Sequence, residues 1–350
     1  MRRISGAALF GAGLLCLILA AALAWVIVPG LSRYPLDLEP PDIVVEAPNA
    51  TFVQAVEQSD GSVEVGVQKG PLRSRTGVKP DFEAAAKLTG KLADRTLIWN
   101  VYQATDRADT GDPINRAESR IALDRDTGAA VAWSGQCYND VKQDSAANDG
   151  CVAGNVTFSG QLYLFPFGTE RRDYRYWDGT LGEALPIAYT GEEEIGGLDT
   201  YRFRQEIPRQ RLAMDDAAIG GLLGELAPGA TGGTAYYQAT RTLWVEPATG
   251  AIVGYREQQH REIVPDTGLT IVLFDADFQY DAATRATVLK ETGNGRDQLL
   301  LLGRYLPLGL AVAGLVLLLL GVLLARRAAV PPPRPAAPEP EPEPTAVLRG

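Results

Sequence analysis

Two long apolar runs bracket this chain, and a punctuated, β-like pattern fills the space between them. The first run extends from Ile4 to Val28 without a charged residue and closes on Pro29-Gly30. The second extends from Tyr305 to Ala325 and is mostly Leu, Val, Ala and Gly. Roughly 20 apolar residues cross a bilayer core as a helix, and in hydrocarbon the backbone must satisfy its own hydrogen bonds. The pattern therefore predicts membrane helices over 7–29 and 305–325. Pro307 falls in the first turn of the second, where a missing N–H costs least.

Between the runs, strand signals dominate. Leu97 to Tyr102, Thr200 to Phe203, Thr242 to Val245 and Leu269 to Phe274 are rich in β-branched and aromatic residues. Gly, Pro, Asn and Asp separate them. Helical stretches are scarcer: Arg211 to Leu226, weakened by Gly220, Gly221 and Gly224, and Thr287 to Gln298. The expected fold is mainly β, a large antiparallel sheet domain over 30–304 flanked by the two helices.

An internal echo suggests two related curved-sheet halves. Leu123-Asp124-Arg125-Asp126-Thr127-Gly128 followed by Ala129 to Trp133 parallels Val245-Glu246-Pro247-Ala248-Thr249-Gly250 followed by Ala251 to Tyr255. Each reads as strand, acidic turn ending in Thr-Gly, then strand. Tyr102-Gln103-Ala104-Thr105 also recurs as Tyr237-Gln238-Ala239-Thr240, but at a different offset. Duplication and chance likeness of hairpins both account for the echo.

Flanking charge sets an expected orientation. Arg2 and Arg3 precede the first run, and Arg326 and Arg327 follow the second. By the positive-inside rule both termini, 1–6 and 326–350, face the cytoplasm and the large domain lies outside. An Ala22-Leu23-Ala24 pattern within the first run also fits a cleavable signal peptide. The apolar run continues past it through Trp25 to Val28, so an uncleaved anchor is expected. The Pro/Glu-rich tail after Arg327 cannot bury a core and is expected to be disordered.

The whole chain carries a formal charge of −10. Setting aside the two ends leaves 27 basic and 40 acidic residues, or −13, which disfavours nucleic acid and anionic surfaces as partners. Of three cysteines, Cys16 lies in the first apolar run, where it reads as a buried apolar residue. Cys137 and Cys151 lie outside, where a pair is expected to form a disulfide. Closing that loop is worth about 3 kcal/mol in the chain-entropy model.

A search for chemistry is sparse in result. His260 is the single histidine, within a charged stretch from Arg256 to Glu262, and reads as an exposed strand residue rather than a base. Asp275 and Asp277 share one strand face, where paired acids could do acid–base work and a solvated sheet face explains them equally well. Asp140, Asp144 and Asp149 lack the glycine and alternation of a calcium loop. No catalytic residue, metal site or cofactor is expected. The densest aromatic stretch supplies Tyr163, Phe165, Phe167, Tyr174, Tyr176 and Trp177. These are candidates to line an apolar groove, although a sheet core also requires such residues.

Several runs resemble an actinobacterial family of membrane proteins, the porin PorA family. They are Phe165 to Glu170, Tyr174 to Asp178, Glu193 to Phe203 and Trp244 to Gly250. The resemblance covers about residues 4 to 326 and implies a two-helix envelope protein; it carries over no catalytic or ligand residue. A transmembrane barrel needs an outward apolar band, and this chain instead offers two helices, so a pore would require helices to oligomerise. The Trp244–Gly250 hairpin is also similar to hairpins of periplasmic lipoprotein-carrier folds, curved sheets that hold acyl chains. On that basis the leading expectation is a non-enzymatic envelope protein that binds or hands on a lipid or glycolipid. The alternatives are a scaffold with protein partners in the envelope and a porin-like channel component.

Overall fold

The computed structural model describes residues 2–57, 63–140 and 150–328. In chain order, helix α1 (Arg2–Ala22) passes into a π-turn (Leu23–Ile27) and a short α2 (Val28–Leu31). Strands β1 (Ile43–Glu57) and β2 (Val63–Pro80), helix α3 (Phe82–Ala86), and strands β3 (Thr96–Arg107), β4 (Pro113–Asp124) and β5 (Cys137–Asp140) follow. Next come β6 (Tyr174–Asp178), β7 (Glu183–Ile195), β8 (Leu198–Arg211), helix α4 (Asp216–Leu226), β9 (Gly233–Glu246), β10 (Ala251–Pro265) and β11 (Ile271–Tyr280). Helix α5 (Ala282–Leu300), a second π-turn (Leu301–Tyr305) and α6 (Leu306–Ala328) complete the described chain. The described residues form two compact units, one from 2–27 with 302–328 and one from Val28–Leu301.

The larger unit is an 11-stranded antiparallel sheet with the order β5-β4-β3-β2-β1-β11-β10-β9-β8-β7-β6. Two meanders, β1 to β5 and β6 to β11, thus meet where β1 pairs with β11. The sheet curls until its ends are joined. Leu123 of β4 bridges Ala130, Ala130 bridges Gly160, and neighbouring Gln161 bridges Tyr176 of β6. Closure removes sheet edges along this seam, and unpaired edges are sites of unwanted association.

Period-2 alternation decides which side chains fill the curled sheet. On β9, Ala235, Tyr237, Ala239, Arg241, Leu243 and Val245 are all buried while the residues between them are more open. Around them three clusters fill the interior. One centres on Trp99, Ile121 and Leu123, a second on Phe165, Phe203 and Leu243, and a third on Phe52, Leu72 and Phe278. The opposite face of β10 is covered by α5, where Val253 packs with Leu198 and Val288. Asp281 caps α5 by accepting from the Thr284 N–H at 2.7 Å, as Asp215 caps α4 through the Ala218 N–H at 2.7 Å.

The predicted strands fall within β3, β8 and β9, and the last begins at Ile271 rather than Leu269. The helix expected from Arg211 starts five residues later, because β8 keeps its pairing with β9 through Arg211. The second expected helix is longer than read, Ala282–Leu300, since the Asp281 cap lies upstream of the apolar pattern. The Pro/Glu-rich tail, Asp144 and Asp149 lie outside the described residues.

In the smaller unit, α1 and α6 pack against each other along their length. Buried or half-buried positions recur as Leu9, Gly13, Cys16 and Ala20 on α1, and as Pro307, Gly314 and Gly321 on α6. That spacing of three, four and seven is the seam of two helices crossing at a shallow angle.

Candidate functional site

Three features of the structure carry functional content, and the helical pair is the first. Gly13 and Gly314 face each other so closely that a Cβ on Gly13 would stand 2.7 Å from the Gly314 carbonyl oxygen. A Cβ on Gly314 would in turn stand 2.9 Å from the Gly13 carbonyl oxygen and 3.0 Å from Leu17. Small residues let helix backbones approach and gain dispersion contact, which is how helices associate in lipid. Elsewhere both helices present large apolar side chains outward, among them Leu15, Ile18, Val312, Leu315 and Leu319. Both are long and apolar enough to cross a membrane. Free Cys16 is half-buried in this unit.

The second feature is the aromatic stretch, whose members divide between the core and its rim, with Phe167 and Tyr174 also bordering an open cleft. Phe165 is fully enclosed and stacks on Phe203 with centroids 5.1 Å apart. Tyr174 meets the same two rings edge-on, and Tyr176 is buried with its hydroxyl donating to the Leu162 carbonyl. Phe167 is half-buried against Tyr34 at 4.6 Å. Trp177 is half-buried against Phe158 at 5.0 Å. Tyr163 is half-buried near Trp99, and burial pushes its hydroxyl pKa up to about 12.

The two echo turns hold this stretch in place. Asp124 accepts from the N–H groups of Asp126 and Thr127, and Glu246 accepts from those of Ala248 and Thr249. Gly128 and Gly250 both adopt the left-handed conformation. From one turn the Thr127 carbonyl accepts from the buried Gln161 amide at 2.9 Å. From the other the Gly250 carbonyl accepts from the Phe165 N–H at 3.0 Å. The two similar turns therefore grip successive parts of one segment.

The third feature is a buried polar layer that sequence reading missed. Arg241, nearly sealed from solvent, pairs with Glu257 and, at 3.3 Å, with Asp178. It also donates to Gln205, whose amide donates to the Tyr176 carbonyl at 3.0 Å. Tyr237 donates to Asp178 at 2.8 Å, and Tyr255 donates to Glu257. Burial opposes the Arg241 charge, but Glu257 and the surrounding groups outweigh it, so the guanidinium stays charged. Burial and the Asp178 charge raise Tyr237, which keeps its proton as a donor. Every member has a partner, as a buried network requires. The available signal was parity: Arg241 shares the inward register of Tyr237, Leu243 and Val245.

The remaining candidates are structural. Cys137 and Cys151 are disulfide-bonded with Cα atoms 5.4 Å apart. His260 is half-buried rather than exposed, with Nδ1 2.6 Å from Asp275 and Nε2 3.2 Å from Glu262. The Asp275 contact follows from strand pairing, because His260 lies directly across from Asp275 in the β10–β11 register. Asp277 is paired with Arg256 at 2.6 Å. Among the described residues no group of His, Cys, Asp and Glu could hold a metal ion. An open cleft of about 550 Å³ beside Phe167 and Tyr174 is bordered by Glu170, Arg172, Asp173 and Arg175. Its charged rim is engaged: Arg172 pairs with Glu170 at 2.8 Å, Asp173 accepts from the Tyr189 N–H at 2.9 Å and Arg175 donates to the Ala184 carbonyl.

Comparison with known proteins gives the geometry its context. A protein-family description, Porin PorA, matches residues 5–323. A protein named Porin PorA from Corynebacterium resistens is 27% identical over 285 residues, covering 63% of this chain and 69% of the relative. Another of that name from Corynebacterium amycolatum is 23% identical over 393 aligned positions, covering 92% of this chain and 98% of the relative. These relatives overturn the expectation of a lipid- or glycolipid-binding carrier, because both carry the name of a porin. The physical reason the carrier analogy misled is sheet closure: the hairpin that resembles a carrier's belongs here to a curled sheet packed with its own aromatic side chains. With the family description matched across nearly its whole length, the chain belongs to the porin PorA family.

Proposed function

We propose that this chain is a channel-forming membrane protein of the cell envelope whose pore is built from the α1–α6 hairpins of several copies. The observation that carries the reading is family membership joined to the hairpin itself, two apolar helices in backbone contact at Gly13 and Gly314. Backbones that close leave no lumen between them, so a pore needs further copies around it.

The curled sheet is a poor candidate for the transmembrane part. A membrane-spanning barrel carries an apolar band on its outer face. The corresponding face of β8 to β11 here carries Arg204–Glu206, Arg209–Glu262, Arg256–Asp277 and His260–Asp275 pairs. We place this domain outside the membrane on the extracytoplasmic side. Both termini lie in the cytoplasm, where Arg2, Arg3, Arg326 and Arg327 meet the positive-inside rule. The activity is passive conduction, without a catalytic step.

The test is electrical. Purified full-length protein added to a planar bilayer should give discrete conductance steps, with crosslinking in the same detergent showing more than two copies. A protein that inserts as a stable monomer and leaves the bilayer silent at all voltages would end the reading. Impermeant thiol labelling of single cysteines placed near residues 3 and 300 in intact cells tests orientation: only the second should react.

A further inference from the structure

We propose that the open cleft beside Phe167 and Tyr174 is a binding site for a neutral saccharide, read through the side-chain oxygen of Gln161. The inference rests on residues of the curled-sheet unit alone and stands apart from the channel reading above.

Gln161 lines the cleft and is only 4% exposed. Its amide nitrogen is spent inward, donating to the Thr127 carbonyl at 2.9 Å and to the Leu164 carbonyl at 2.8 Å. Two carbonyls on one side fix which end of the amide is nitrogen, because an oxygen there would face two acceptors. The Oε1 atom is left without a donor among the described residues, and it is not one of the unpartnered side-chain atoms sealed from solvent. A buried, rigidly held side chain thus keeps an unused acceptor at the cleft surface. Buried polar groups ordinarily have a partner, and water serves here until a ligand hydroxyl takes its place.

The surroundings select the kind of donor. Backbone groups nearby are already committed to closing the sheet. The Gln161 N–H donates to the Arg175 carbonyl, the Gln161 carbonyl accepts from the Trp177 N–H, and the Gly160 carbonyl accepts from the Ala130 N–H. A peptide added as a strand needs such groups free. The rim sets Glu170 and Asp173 against Arg172 and Arg175, a balance with no net pull on an ion. Pro166 and Phe167, both half-buried, add apolar surface. A neutral sugar ring matches this set, with hydroxyls on its edge and C–H groups on its face. Its hydroxyls donate to Gln161 Oε1 and the rim carboxylates and accept from the guanidinium groups, while its face lies on Phe167. The cleft volume of about 550 Å³ falls within the range of about 300–1,000 Å³ for small-molecule sites.

Full-length protein in lauryldimethylamine oxide, a detergent that carries no sugar, tests the site. Neutral linear trisaccharides of glucose, galactose and mannose are titrated and followed by calorimetry and ligand-observed NMR. The parent should bind at least one of them. Ala129→Trp, which fills the cleft from a position outside the Gln161 contacts, should abolish binding. Gln161→Met, which keeps the shape and removes the acceptor, should weaken it about tenfold. Circular dichroism checks the fold of both variants, and if Gln161→Met does not fold, Ala129→Trp decides alone. A parent that binds none of the three sugars overturns the proposal. Binding that survives Ala129→Trp does so too, since the sugar then sits elsewhere, and unchanged affinity in a folded Gln161→Met removes the assigned role of Oε1. None of these results bears on conduction, so the channel reading stands or falls separately.

Discussion

Gly250 sits against Phe165 with no space for a side chain: a Cβ there would overlap the Phe165 carbonyl oxygen and stand 2.7 Å from the Tyr34 hydroxyl. That carbonyl oxygen already accepts from the buried Tyr34 hydroxyl at 2.5 Å, and the same hydroxyl lies 3.1 Å from the Thr249 carbonyl. Arg125 ties the same segment from the other echo turn by donating to the Tyr34 carbonyl at 2.7 Å. Gly250→Ala must therefore break this knot as well as strain a backbone at φ +73°. We expect it to lower stability by about 2–3 kcal/mol, read by denaturant unfolding of the tryptophan signal. Tyr34→Phe, which removes only the hydroxyl, should cost about 1 kcal/mol. Equal losses in the two variants would show that the close approach of Gly250 contributes nothing.

The buried Arg241 layer predicts an asymmetry between variants. Arg241→Ala leaves Asp178 and Glu257 in the interior without a cation, and breaking a buried pair this way costs about 3–5 kcal/mol. Glu257→Gln keeps a partner for both Arg241 and Tyr255 and leaves one carboxylate against one guanidinium, so its cost should be well below that of Arg241→Ala. A smaller loss for the alanine variant than for the glutamine variant, measured by chemical denaturation, would refute this account of the layer.

The fold was legible where a pattern is local. The helices at either end follow from length and hydropathy, and the strand type of β3, β8 and β9 follows from β-branched and aromatic runs. Sheet closure was not legible, because it depends on Leu123, Ala130, Gly160, Gln161 and Tyr176, which are isolated bridges without a periodic signal. Closure in turn decides the fate of the aromatic stretch. In an open curved sheet Phe165 and Tyr176 would line a groove; in this one they are core. Arg241 was passed over for a related reason: a charge inside an apolar register is visible only once Asp178 and Glu257, from other strands, are seen to meet it.

The His260 cluster makes stability depend on pH with a definite sign. Burial pulls the imidazole pKa down, but hydrogen bonds to Asp275 and Glu262 outweigh it and raise the group above its ordinary 6.5. A raised folded-state pKa means the stabilisation is fully present below 6.5 and is lost as pH rises through the folded value. The Glu262 carboxyl is itself disfavoured by burial, yet Arg209 and His260 hold it below its usual value, so its share is lost only as pH falls into the acidic range. Thermal unfolding should therefore show the parent losing stability between about pH 6 and pH 8 relative to His260→Gln. Parallel curves for the two proteins across that range would dismiss the cluster as a pH-dependent brace.

The helical pair predicts a coupled loss. Gly13→Ala and Gly314→Ala each place a methyl within 3 Å of the opposing backbone oxygen, at 2.7 and 2.9 Å. Backbone cannot rotate away as a long side chain would, so the helices must separate, and overpacking of this kind costs about 1–3 kcal/mol for either variant. Once one methyl has pushed α1 from α6, the second meets a gap already opened. The double variant should then cost clearly less than the sum of the singles, a coupling of at least about 0.5 kcal/mol. The measurement is loss of helical signal as the mixed micelle is enriched in a denaturing detergent. Strict additivity would mean that the two glycines do not share a contact, and the proposed hairpin seam would have to be abandoned.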